Sequence, residues 1–263
     1  MAGIEGEAIV LRAVEYGEAD LIVRLLMPDA GRLTVMAKHA RKSRRRFPGA
    51  LDLFNHVRVR ISRKRPTAMG FLEQANLVTA FLPLRQNLAR YGLASYLLEL
   101  LGRMAPEEGV RVDSQRIFDF AISSLRALSL ESPDAHTRLF FELRAFEALG
   151  LCPGLEHCVR CGASPTTARV GFHVADGGPI CAAHGAEGMS GLLSVHLGTL
   201  RALRRSLDSE IGQLGRLRLG AEALAEAQEI LFRFYRFHVG FELKSEPFLA
   251  QTLQGSGLTA VAS

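Results

Sequence analysis

The sequence predicts an α+β chain of more than one domain. A small β-barrel or pair of packed sheets occupies residues 1–80, a mainly α-helical domain covers 81–151 and 185–248, and a cysteine-bearing insertion at 152–184 divides the helices. Three observations predict this. Short Val-, Ile- and Leu-rich runs crowd the first 80 residues, the apolar period lengthens after Pro83, and all four cysteines fall between residues 152 and 181.

The strand candidates are EAIVLRAV (7–14), DLIVRLLM (20–27), RLTVMAK (32–38) and FNHVRVRIS (54–62), with a fifth at Met69–Ala75. Gly, Pro, Asp and charged residues separate them, as turns require. In the fourth, Val57, Val59 and Ile61 share one face while Arg58 and Arg60 share the other. The separations are too short for crossover helices, which points to a barrel or two packed sheets, a set that includes the OB-fold.

After Pro83, LRQNLARYGLASYLLELLGRM is mostly apolar, with Ala and Leu throughout, and reads as a largely buried helix. Phe118, Ala121, Leu125 and Leu128 mark one helical face, as do Leu139, Leu143, Phe146 and Leu149. Asp134, just beyond Pro133, is placed to receive the unpaired amides of a helix start. Residues 192–207 and 220–239 are further helix candidates, and 249–263 is expected to form a flexible tail.

Charge is distributed unevenly. Residues 1–80 hold 14 Lys or Arg against 8 Asp or Glu, a net of +6, while the remainder nets −1. Between Lys38 and Arg65 there are 11 bases and one acid, Asp52. A polyanion partner follows from that asymmetry better than any statement about fold. KHARKSRRRFPG (38–49) is the densest part, lying between strands where a scaffold can present it. Its Arg forks match phosphate oxygens, and Arg58, Arg60, Arg63, Lys64 and Arg65 form a second basic segment. Such contacts give affinity without base choice. Phe47 and Phe54 could each be core or a stacking platform. A solvated loop is the plainer alternative.

Cys158-Val159-Arg160-Cys161 is a CxxC knuckle, followed after nineteen intervening residues by a CxxH half-site, Cys181–His184. Two half-sites across a short loop match tetrahedral zinc held by Cys158, Cys161, Cys181 and His184. Cys152 is an alternative fourth ligand, core-packed thiols are the competing reading, and His157 is expected on the surface. Four protein ligands would make zinc structural, since catalysis needs an open position.

Several classes lack support. There is no GxxxxGK[ST], GxGxxG after a strand, HExxH or GxSxG. No apolar run approaches the roughly 18 residues of a membrane span. The first residues carry acids in place of a basic signal-peptide start, so a cytoplasmic setting is expected. A metal-dependent nucleic-acid-processing enzyme and an RNA-associated structural protein remain as alternatives to a non-catalytic DNA-binding role.

The order of these features, with KHARKSRRRFPGALDLF, GLCPGLEHCVRCG, the Gly-Gly-plus-Cys181 hairpin and HVGFELKSEPFL (238–249), resembles the RecO family of bacterial DNA repair and recombination mediators. The resemblance spans essentially the whole chain. It implies an N-terminal OB-fold, a helical domain and a zinc-finger-like insertion. It further implies binding of single- and double-stranded DNA, annealing of complementary strands, and work with RecR and single-stranded DNA-binding protein so that RecA can load. The family's basic surface falls on Lys38, Arg41, Lys42, Arg44, Arg45 and Arg46, with support from Arg58 and Arg60. Its second metal pair is commonly CxxC, where this chain has Cys181 and His184. The acceptor for the tail of single-stranded DNA-binding protein is expected on the helices, where Arg116, Arg126, Arg138 and Arg144 are the basic candidates.

Overall fold

A computed structural model describes residues 2–43, 45–65, 68–107, 114–185 and 189–255. It separates into two compact units, Met1–Ser132 and Pro133–Ser263.

In the first unit, β1 (Ala2–Tyr16), β2 (Asp20–Met27), β3 (Gly31–Ala37), β4 (His56–Arg63) and β5 (Gly70–Thr79) form a closed barrel. The order is β1-β2-β3-β5-β4, closing on β1, with β3 parallel to β5 and every other pair antiparallel. This is the five-stranded OB arrangement. β1 is longer than its apolar run because it serves two neighbours: Ala2–Ile9 pairs with β4 and Ile9–Tyr16 with β2. A register shift between Val10 and Arg12 bends the strand at that change of partner. Alternating residues fill the interior, among them Val10, Val23, Leu25, Val35, Val57, Val59, Ile61 and Leu72, while Arg58 and Arg60 point outward as their phase requires.

Two aromatic readings resolve toward the core. Phe47 belongs to the barrel core. Phe54 is fully buried, meets Tyr91 edge-to-face at 5.2 Å between centroids, and has φ of 74°. That backbone turn keeps it out of the fourth strand, which starts at His56 rather than at 54. The strand pattern ends near residue 80 as expected, yet α1 (Leu88–Met104) and α2 (Ser114–Leu130) fall in the same compact unit as the barrel.

The second unit contains α3 (Ala135–Ala148), β6 (Arg169–His173), β7 (Gly178–Ile180), β8 (Leu192–His196), α4 (Leu197–Leu207), α5 (Ala221–His238) and α6 (Glu246–Gly255). Phe146 of α3 packs on Phe234 of α5 at 5.6 Å. Asp134 caps α3, accepting from the Thr137 amide and hydroxyl, each at 2.8 Å. Burial alone would raise its pKa, but those donors together with Arg218 and His136 hold it below the ordinary value.

Two expected segments differ. Residues 192–196, read as the start of a helix, pair as β8 beside β6 in a sheet ordered β7-β6-β8. In α4, His196 at the cap offers no side-chain oxygen. Glu226 of α5 supplies the acceptor instead, taking the His196 amide at 3.0 Å, its ring Nδ1 at 2.9 Å and the Thr199 hydroxyl at 2.6 Å. The expected tail from 249 starts inside α6, where Leu249 is fully buried. Pro247 suits that helix's first turn, and residues 256–263 lie outside the described residues.

Asp134→Ala should cost about 0.5–2 kcal/mol in urea unfolding, the usual worth of an N-cap. Burial works against ionised Glu226, yet the Thr199 and His196 donors prevail and depress its pKa. A depressed carboxylate stabilises the fold fully above its unfolded value, and the contribution disappears as pH falls through the folded value. Glu226→Gln should therefore lower stability at neutral pH and flatten the acid side of the stability–pH curve. An unaltered curve would show that the cap contributes nothing.

Candidate nucleic-acid interface and metal centre

The chain between β3 and β4 is ordered by its own polar groups. The His39 amide donates to Asp20 Oδ1 at 2.7 Å and the Arg41 amide to the Ala19 carbonyl at 3.1 Å. A short 3₁₀ turn covers Ala40–Lys42. The Arg46 guanidinium donates to the Lys38 carbonyl and lies over the Phe47 ring, while the Ala75 amide of β5 donates to the Arg46 carbonyl at 2.9 Å. The basic run is thus stitched to the barrel at both ends.

Lys38, Arg46, Arg60, Ser62, Arg63, Lys64, Phe71, Leu72 and Glu73 line one open groove of about 500 Å³. Five cations face one carboxylate, Glu73, and Arg60 Nε sits 3.3 Å from it. Exposed pairs of this kind are worth about 0–1 kcal/mol, so a phosphate can take the carboxylate's place on Arg60 at little cost. Other members of the basic set lie elsewhere. Arg41 pairs with Glu15 at 3.2 Å and Arg58 with Glu7 at 3.4 Å. Lys42 and Arg45 are exposed outside the groove lining, and Arg44 is outside the described residues. Sequence reasoning placed Arg63 and Lys64 in a second basic segment but missed Phe71 and Glu73. Their outward phase in β5 was a signal, although which strand lies beside them is a tertiary fact.

In the second unit, Cys158, Cys161, Cys181 and His184 bring their ligand atoms within 4.8 Å of one another. Cys161 and Cys181 sulfurs are 3.7 Å apart, and His184 Nδ1 stands 3.2 Å from Cys181 Sγ and 3.8 Å from Cys158 Sγ. Zinc with Zn–S of about 2.3 Å and Zn–N of about 2.0–2.1 Å in a tetrahedron sets edges of about 3.8 and 3.6 Å. The cluster fits a tetrahedral ion. The β6–β7 hairpin carries the second half-site to the first, and Arg160 ties them, donating to Asp176 at 2.7 Å and the His184 carbonyl at 3.2 Å. Gly178 must be glycine, since a Cβ there would meet Val159 Cγ1 at 2.4 Å.

Burial would push the Cys158 thiol up, but the amides of Cys181, Arg160 and Cys161 and the Cys161 thiol bring it down to about 6. That favours the thiolate a metal requires. Cys152 stands outside the group, and burial with the Glu147 charge raises its thiol to about 11. His157 is on the surface, 3.2 Å from Ser164 Oγ. A second close set, His196, Glu222 and Glu226, is accounted for by the α4 cap. Arg138 and Arg144 are committed to the fold: Arg138 pairs with Glu246 at 2.6 Å and Arg144 donates to the Ser209 carbonyl at 3.2 Å.

Barrel topology and a cation-lined groove define the class, an OB-fold protein with the electrostatics of a polyanion binder, and comparison with known proteins narrows it. Residues 1–81 match the family described as Recombination protein O N terminal, and residues 85–247 match Recombination protein O C terminal. A DNA repair protein RecO of Anaeromyxobacter dehalogenans strain 2CP-C is 34% identical over 241 residues, 92% of this chain and 93% of the relative. One from Syntrophotalea carbinolica is 30% identical over 262 residues, 99% of each chain, and one from Symbiobacterium thermophilum is 32% identical over 252 residues, 95% and 97%. The chain belongs to the RecO family.

Purified protein is expected to carry about one zinc per chain, four protein ligands making one closed site. Cys158→Ala should reduce this to near zero, and equal, near-zero metal in both proteins would assign the cysteines to packing alone.

Proposed function

We propose that this chain is a non-catalytic recombination mediator whose barrel groove holds DNA by its phosphates. Five cations around one carboxylate in a single groove carry the reading. Membership of the RecO family gives the polyanion its identity as DNA and the role its setting in DNA repair and recombination. Among the described residues no helix is long and apolar enough to cross a membrane, and the proposed place of action is the cytoplasm, at the nucleoid.

Annealing of complementary strands requires no acid, base or leaving group. Two polyanions repel, and a positive surface offsets that repulsion while raising their local concentration. The groove contributes this through Lys38, Arg46, Arg60, Arg63 and Lys64. Arg46 also acts on the loop itself, because its hydrogen bond to the Lys38 carbonyl holds the segment that presents the other cations. Arg41, Lys42, Arg45 and Arg58 would serve as an outer positive field that steers a strand toward the groove. The further reading is that RecR and the tail of single-stranded DNA-binding protein bring the chain to coated DNA so that RecA can load. Zinc, held by Cys158, Cys161, Cys181 and His184, would supply a structural tie between the knuckle and the hairpin.

Annealing of complementary oligonucleotides, bare or coated with single-stranded DNA-binding protein, tests the role. The wild-type chain should accelerate both, and Lys38→Ala with Arg60→Ala should slow annealing about tenfold, consistent with two lost charge-assisted contacts. Wild-type annealing by that variant would sink the groove. Glu73→Gln should tighten DNA binding about 2- to 5-fold by freeing Arg60 from its exposed pair. Weaker binding by Glu73→Gln would mean the carboxylate organises the groove rather than competing for it.

A further inference from the structure

An aromatic ring in a groove built for phosphates calls for its own explanation. Phe71 lies on β5 between Gly70 and Leu72; Leu72 points into the barrel core, and Phe71 is half-buried on the outer side. It lines the groove with the five cations. Lys38 Nζ stands over its ring, 4.8 Å from the centroid. The barrel core is complete without it, since Phe71 is not a member of the core cluster.

We propose that Phe71 is a stacking platform for one unpaired base, and that it gives the groove a preference for single-stranded over duplex DNA. This rests on the reading of the groove as a phosphate site. A duplex presents phosphates and base edges but no free base face, so the cations treat both forms alike and the ring does not. An aromatic ring receives any base, because every base has a π-face, and so adds strand selection without sequence selection. In the free protein the Lys38 ammonium occupies the ring face through a cation–π contact. As a base arrives, the ammonium moves to the adjoining phosphate, exchanging a weak partner for a charged one. One residue thereby couples base stacking to backbone neutralisation.

Phe71→Leu keeps an apolar side chain of similar reach and removes the π-face. Full-length protein should be titrated with a single-stranded oligonucleotide of about 16 nucleotides, the upper site size of one OB-fold, with the same backbone lacking bases, and with blunt duplex. Phe71→Leu should weaken binding of the base-bearing single strand about 5- to 150-fold, the usual worth of one base on one ring. The base-free strand and the duplex should change less than about twofold, since their contacts are with phosphates. The chain has no tryptophan, so Phe71→Trp introduces a single emitter at the site. Base-bearing single strands should quench it, and base-free strands and duplex should not.

Equal weakening of all three ligands by Phe71→Leu, or no weakening of any, would overturn the proposal, as would quenching of Phe71→Trp by the base-free strand. Lys38→Ala with Arg60→Ala separates the two readings. If that variant loses affinity while Phe71→Leu does not, only the stacking assignment falls. If neither loses affinity, the phosphate groove falls with it.

Discussion

Closure of the barrel between β3 and β5 is the constraint on which the groove depends. The ladder there is brief and parallel, Val35 opposite Gly70 and Met36 opposite Phe71. It is possible because Gly70 has no side chain: a Cβ at that point would stand 2.8 Å from Ile61 Cγ2 and 3.2 Å from Val35 Cγ1, both core residues. The seam brings the end of β3, where Lys38 begins the basic run, against β5. The antiparallel pairing of β5 with β4 then adds Arg60, Arg63 and the Lys64 turn. Two basic segments separated in the chain by two core aromatics, Phe47 and Phe54, thus become one surface. A larger residue at 70 would damage the fold and the groove through the same contact.

The electrostatic design separates holding from presenting. Arg46 commits part of its guanidinium to the Lys38 carbonyl and to the Phe47 ring, so its substitution would disturb loop geometry as well as charge. Lys38 and Arg60 have exchangeable partners, a ring face for the first and an exposed carboxylate and the Gln74 amide oxygen for the second. The second unit follows another principle. Arg160 and the close packing of Gly178 on Val159 bring three sulfurs and one imidazole nitrogen to tetrahedral spacing, and with His184 as the fourth ligand the set carries one thiolate fewer than four cysteines would.

Much of this was legible in the order of residues. The outward phase of Arg58 and Arg60, the cap at Asp134 and the CxxC and CxxH half-sites each depend on neighbours within a few positions, which sequence displays directly. Phe54 was not legible, because its left-handed backbone follows from burial against Tyr91, a residue on α1. β8 was not legible either: Leu192–His196 is a strand because β6 lies beside it, and Leu192, Leu193, Val195, Leu197 and Leu200 lead into α4 with no proline to mark the change. The α4 cap comes from Glu226, thirty positions away. The small, polar end of the chain led the expected tail to start at 249, which overlaps α6, and the burial of Leu249 is a tertiary fact.

The claim that charge in one barrel groove holds the DNA makes a quantitative demand on salt dependence. For single strands, each phosphate contact contributes about 0.7 to the slope of log K against log salt. Comparing wild type with Lys38→Ala and Arg60→Ala combined, across a series of monovalent salt concentrations, measures that slope directly. The account predicts a slope shallower by about 1–2 in the variant, the share of two lost contacts. Parallel lines, with affinity reduced or not, would contradict it.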